Sequence, residues 1–126
     1  MLTDKIFIST SSFAVHSKEP LDILDENQLQ YTLNPYGKKL NGKELLTKAK
    51  NVDAIIAGTE KYDRIALESL PKLKVISRLG VGMDNIDLDM AEQKGIKVYK
   101  TQTTPAPAVA ELVLGFMLDL ARKISY

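Results

Sequence analysis

Short apolar blocks alternate along this chain with longer stretches in which apolar residues recur three and four positions apart. The first block, Ile6-Phe7-Ile8, ends in Ser9-Thr10-Ser11-Ser12, the pattern of a buried strand followed by a polar loop. Pro20-Leu21-Asp22-Ile23-Leu24 then opens a helical pattern with Leu21, Leu24 and Gln28 on one face. Tyr31-Thr32-Leu33 is a second strand, closed by the turn Asn34-Pro35-Tyr36-Gly37. Asn41 is placed to cap a helix, and Glu44 three residues on completes a capping box. Leu45, Leu46 and Ala49 supply that helix with its apolar stripe.

Ala54-Ile55-Ile56-Ala57 is a third strand with no polar interruption, as in parallel sheets covered on both faces. Asp63 caps a short helix running to Ser69, and Pro71 lies beyond its end. Val75-Ile76-Ser77 is the fourth strand. Asp87 caps a helix from Leu88 to Lys94, and Gly95 suits the left-handed position just past it. Ile96-Lys97-Val98-Tyr99 alternates, as an edge strand with one wetter face does. Ala108 to Lys123 reads as a long helix, with Val109, Leu112, Val113, Phe116 and Leu120 at helical spacing.

Strand followed by helix, about five times over, is the signature of an α/β fold built on a parallel sheet with right-handed crossovers. A flavodoxin-like sheet in the order 2-1-3-4-5 fits it best, ending in a long crossover helix. At 126 residues the chain amounts to one domain at most. No repeat or low-complexity segment interrupts it. With 17 basic and 16 acidic residues, nothing in the charge favours nucleic acid or an anionic membrane as partner. Cysteine is absent, which excludes disulfides and thiolate metal sites, and no His, Asp and Glu cluster has metal-ligand spacing. The segment from Met1 to Lys5 lacks the form of a signal peptide. The apolar stretch from Leu112 to Leu120 is too short to span a bilayer. A soluble, cytoplasmic protein is the expectation.

Ligands of open α/β sheets bind beyond the carboxyl ends of the strands. There the fourth strand runs into Arg78-Leu79-Gly80-Val81-Gly82. Two glycines around one residue allow a tight turn and a close approach of backbone to ligand. Successive N–H groups in such a turn can converge on an anion, and Arg78 adds a forked donor for carboxylate or phosphate. The same spacing also serves a plain strand-to-loop turn. It is not a dinucleotide fingerprint, because the third glycine position holds Asn85 and no helix starts directly behind the loop.

Longer stretches narrow the choice. Gly80, Gly82, Asp84-Asn85-Ile86-Asp87, then Gly95-Ile96-Lys97-Val98, then Val109-Ala110-Glu111 follow in register a pattern that resembles the D-isomer-specific 2-hydroxyacid dehydrogenases. Asn34-Pro35-Tyr36-Gly37 and Ala57-Gly58-Thr59-Glu60 resemble a bacterial, D-3-phosphoglycerate dehydrogenase-like subgroup, and the similarity covers essentially the whole chain. The resemblance implies an NAD-dependent oxidoreductase acting on the CH–OH group of a small 2-hydroxy acid, of which this chain carries the first part of the substrate domain. Residues 1–105 would form that domain in part, and 106–126 the helix leading to an NAD-binding domain outside the chain. The amides of Val81 and Gly82, with Gly80, would hold the substrate carboxylate, and Arg78 matches a position that contacts phosphorylated substrate. The family's catalytic arginine, glutamate and histidine have no counterpart here. This chain is therefore expected to bind no NAD itself and to be inactive alone. The subgroup's pathway is serine biosynthesis, and the family's long helix implies a homodimer. Lys100-Thr101-Gln102 and Ala57 depart from the phosphoglycerate pattern, so the particular acid stays open.

Other polar residues have plainer readings. His16 reads as a solvated loop histidine, and Ser11 and Ser12 either line the cleft or simply end the strand. Glu60 and Asp84 lack support as a carboxylate pair, and Asp84 and Asn85 are expected to bond local backbone. Lys38-Lys39, Lys72 and Lys74 belong to solvated faces. Phe116, Met117, Leu118 and Leu120 crowd the last helix, which points to a partner surface rather than to its own sheet. A stand-alone acid-binding or dimerisation module is the alternative. A phospho-receiver is disfavoured, because Ser9-Thr10-Ser11 and Gly58-Thr59 stand where its acids would be.

Overall fold

The computed structural model describes residues 4–125; Met1, Leu2 and Thr3 of the supposed leader-free start lie outside them. Five strands form one parallel sheet: β1 (Lys5–Ile8), β2 (Gln30–Leu33), β3 (Ala54–Ala57), β4 (Val75–Arg78) and β5 (Lys97–Lys100), in the order β2-β1-β3-β4-β5. The helices between them are α1 (Glu19–Glu26), α2 (Gly42–Ala49), α3 (Arg64–Glu68) and α4 (Leu88–Gln93), and α5 (Ala106–Arg122) follows the last strand. The expected class and strand order are both found.

The dry face of the sheet follows one rung. Phe7, Ile55 and Ile76 stand in register across β1, β3 and β4, with half-buried Val98 next to them on β5. They join Leu45 and Ala49 of α2, Leu67 of α3, and Met90 and Ala91 of α4 in a single core cluster. The neighbouring rung, on the other face, behaves differently. Ile8 is fully buried, Ile56 is half-buried, and Ser77 and Tyr99 are exposed. Coverage on that side therefore fades from β1 toward β5. The unbroken apolar run of β3 suggests cover on both faces, yet Ala54 and Ile56 keep partial exposure, because the helices of the core cluster all lie on the other side.

Helix ends follow from short polar side chains. Asn41 accepts the Glu44 N–H and Glu44 returns the bond to the Asn41 N–H, the full capping box. Asp63 and Asp87 cap α3 and α4. Gly95 takes φ +70° after α4, a conformation free of strain only without a Cβ. Three local expectations shift. Gln28 lies beyond α1 in a left-handed conformation rather than on the helix face. The fifth strand starts at Lys97, since Ile96 is spent on the turn and buried in the core. The last helix starts two residues early, at Ala106, because prolines in a first turn have no N–H to satisfy and a preset φ.

Two carboxylates far from the β4 loop set how the fold meets acid. The Asn41 backbone N–H, and then Lys38, hold Glu44 below its ordinary value of 4.5. The Lys5 backbone N–H, and then Lys74, hold Asp53 below 3.8. Folded values below unfolded ones mean that the unfolded chain takes up protons first. The stabilisation is complete above the unfolded values and drains away as pH falls through the lowered folded ones. The urea midpoint is thus expected to fall from about pH 5 downward, and less steeply in Asp53→Asn. A midpoint flat through that window would contradict these pairings.

Candidate functional site

Four strand ends bring their loops to one edge. β4 delivers Arg78, and the chain then turns through Leu79, Gly80, Val81 and Gly82. Gly80 has φ +143°, a region essentially closed to residues with a Cβ. Its N–H donates to the Arg78 carbonyl at 3.0 Å and to Thr101 Oγ1 at 3.0 Å, and its carbonyl accepts the Thr101 N–H at 3.1 Å. Gly80 is therefore consumed internally and acts through its shape. Among the described residues, the Val81 and Gly82 amides donate to no partner. These two N–H groups are what the turn offers a ligand.

Arg78 does not reach outward. Its guanidinium folds back over Gly80, where Nη1 donates to the Leu79 carbonyl and Nε to Asn85 Oδ1 at 3.4 Å. It is only half-buried, so a rotation of the side chain frees the fork for an anion beside the turn.

Behind the loop lies a buried polar cluster. Glu60 is 2% exposed, and its Oε2 accepts from Ser9 Oγ at 3.0 Å and from the Gly58 N–H at 2.9 Å. Ser9 Oγ also lies 2.9 Å from the Tyr62 hydroxyl. Burial pushes that hydroxyl well above the usual tyrosine value, so it stays protonated. Asn85 Nδ2 donates to the carbonyls of Gly58 at 3.1 Å and Glu60 at 2.7 Å. The Tyr62 N–H donates to the Asn85 carbonyl at 2.8 Å, and the Asp87 N–H to that of Tyr62 at 2.9 Å. Asn85 was expected to bond its own turn; its side chain instead spans to the β3–α3 loop. Nothing in its spacing marks partners 25 and 27 residues back.

The remaining candidates scatter. His16, Ser11 and Ser12 are exposed in the loop after β1, and Ser12 Oγ meets only Thr10 Oγ1. Asp84 is exposed while Glu60 is buried, and no hydrogen bond joins them among the described residues. Asp84 lines a small depression of about 160 Å³ with Lys61, Asp63 and Asp87, too acidic for an anion. A wider hollow of about 520 Å³ lies between the starts of β1 and β2, away from the loop. Lys38 pairs with Glu44, and Lys74 with Asp53. No group of three His, Asp or Glu able to hold a metal occurs among the described residues. The β4 loop lacks the form of a dinucleotide fingerprint. Asn85 occupies the third glycine position and is locked to the neighbouring loop, and α4 begins only at Leu88, behind its own Asp87 cap.

α5 stands apart from all of this. None of its residues is buried, and Val109, Leu112, Leu114, Phe116, Met117, Leu118 and Leu120 are each more than half exposed. No helix among the described residues is long and apolar enough to cross a membrane.

Comparison with known proteins identifies the family. The family model for the D-isomer specific 2-hydroxyacid dehydrogenase catalytic domain matches residues 7–117. A hydroxypyruvate reductase of Thermotoga maritima is 36% identical over 120 residues, 90% of this chain and 38% of its own length. A D-3-phosphoglycerate dehydrogenase of Methanocaldococcus jannaschii is 46% identical over 87 residues, 68% of this chain and 16% of its own. The NAD+-bound 3-phosphoglycerate dehydrogenase of Entamoeba histolytica superposes with a TM-score of 0.75 at 29% identity, over 93% of this chain and 39% of that one. The chain spans less than half the length of each of these relatives. Sheet order, loop sequence and a match over nearly the whole chain converge: it belongs to the D-isomer-specific 2-hydroxyacid dehydrogenase family.

Proposed function

We propose that this chain is the substrate-binding portion of an NAD-dependent oxidoreductase that moves a hydride between nicotinamide and C2 of a small 2-hydroxy or 2-keto acid. The observation that carries the reading is the pair of amides, Val81 and Gly82, without a partner among the described residues and presented at the carboxyl end of β4 beside Gly80, whose φ of +143° suits glycine alone. A carboxylate accepts two such N–H bonds, and ionised acceptors make them stronger. Gly80 shapes the turn. Arg78, swung off Asn85, meets the distal group of the acid. The nicotinamide supplies the redox chemistry, and the residues of this chain bind and orient the acid.

Residues 1–105 serve as the substrate domain, and residues 106–126 lead toward a cofactor domain. The apolar surface of α5 is covered by that domain and by a second copy, so the working enzyme is a cytoplasmic homodimer. Serine biosynthesis suits a phosphoglycerate substrate. Hydroxypyruvate and glyoxylate are equally compatible with a site in which Arg78 is the cation nearest the turn.

The test is an amide NMR titration of the purified chain with glyoxylate, with 3-phosphohydroxypyruvate and with NADH. The expected result is movement of Val81 and Gly82 with an acid and no response to NADH. Acid binding without movement of these two amides would overturn the site assignment. Measurable NADH turnover by the pure chain would overturn the division of labour. Acid binding with full dimerisation and no turnover, even after addition of a family cofactor domain, would favour a stand-alone acid-binding module.

A further inference from the structure

The Glu60 cluster has no part in the chemistry above, yet it is built with care. A carboxylate 2% exposed, with no cation within salt-bridge distance among the described residues, is an expensive thing to bury. Every nearby bond points the same way. Oε2 draws in the Ser9 hydroxyl from the end of β1 and the Gly58 N–H from the end of β3. That folds the loop from Gly58 to Tyr62 so that two of its carbonyls, those of Gly58 and Glu60, face one side chain, Asn85. Gly58 has no room for a Cβ, which would sit 2.8 Å from Thr10 Cβ and 3.1 Å from Glu60 Oε1. Asn85 in turn closes the acid-binding turn, and it holds Arg78 by Nε. The turn thus hangs between two fixed points, Thr101 at Gly80 and the Glu60-ordered loop at Asn85.

We infer that Glu60 is a positioning residue for the acid-binding turn. It sets the aim of the Val81 and Gly82 amides through Gly58 and Asn85 without touching the ligand. The inference rests on the proposed function for its ligand, though not for its geometry.

The experiment compares wild type, Glu60→Ala, Glu60→Gln and Asn85→Ala. In each, the amide resonances are recorded without ligand and during titration with glyoxylate. Phe7, Ile55 and Ile76 report the sheet; Gly80, Val81 and Gly82 report the turn. Glu60→Ala is expected to leave the sheet resonances in place, shift those of the turn, and weaken glyoxylate about tenfold or more, as for one lost charge-assisted hydrogen bond. Glu60→Gln keeps an oxygen for the Ser9 and Gly58 donors and is expected to restore most of both. Asn85→Ala, which keeps the Glu60, Ser9 and Tyr62 side chains but frees the Gly58 and Glu60 carbonyls, is expected to repeat the Glu60→Ala effect on the turn and tests the link should Glu60→Ala fail to fold. Unmoved turn resonances in Glu60→Ala or Asn85→Ala would overturn the inference, as would a Glu60→Gln that behaves like Glu60→Ala. A wild type that ignores glyoxylate would sink the proposed function alone, since the ligand-free spectra still judge the positioning.

Discussion

Gly80→Ala is expected to abolish acid binding while the sheet stays folded. At φ +143° a Cβ strains the backbone by about 1–3 kcal/mol. The same Cβ falls on the Arg78 guanidinium, a flexible group that swings away. The collision is therefore cheap and the backbone strain is not. The turn relaxes to a permitted φ, and its two hydrogen bonds to Thr101 break. Val81 and Gly82 then point elsewhere, although neither has been altered. Arg78→Ala separates the two effects. It removes the guanidinium and leaves φ untouched, so it should lower affinity for a phosphorylated acid more than for glyoxylate. Wild-type acid-induced shifts at Gly82 in Gly80→Ala would show that the turn does not depend on this conformation.

The larger loss of stability is expected at Tyr62. Its ring is fully buried in the core cluster, and its hydroxyl reaches Ser9. Tyr62→Ala removes an aromatic side chain from a site walled by the α3 and α4 loops, for about 3–5 kcal/mol of destabilisation. Tyr62→Phe keeps the ring and gives up one bond, about 1 kcal/mol, because the Ser9 hydroxyl still donates to the Glu60 carboxylate. Denaturant unfolding of the two variants measures the difference. Equal losses would mean that the hydroxyl, not the ring, carries the position.

The contrast between these residues tracks what a sequence can reveal. Asn41 with Glu44, Asp63, Asp87 and Gly95 act within one turn of themselves, so spacing alone places them. The alternation of strand and helix implies the parallel sheet, since parallel neighbours need a crossover, and the order β2-β1-β3-β4-β5 is the flavodoxin-like packing of such a chain. The Gly80 turn was legible as a special backbone. That its own N–H is taken by Thr101, 21 residues on, was not. The same holds for Asn85, whose partners lie 25 and 27 residues back, and for Glu60, an acid that reads as surface until Ser9 and Tyr62 close over it. Arg78 illustrates the remaining gap. Residue type suggests reach, but an arginine with no ligand satisfies its donors wherever oxygen is nearest.

The hydrogen bonds between Gly80 and Thr101 have a mechanical side. Five residues past Thr101 begins α5, 17 residues and so about 25 Å long, with none of its residues buried. The Gly80–Thr101 pair thus ties the turn to the segment that leads into this helix. Under the proposed function, a partner that fixes this helix also fixes one of the two supports of the turn that carries Val81 and Gly82.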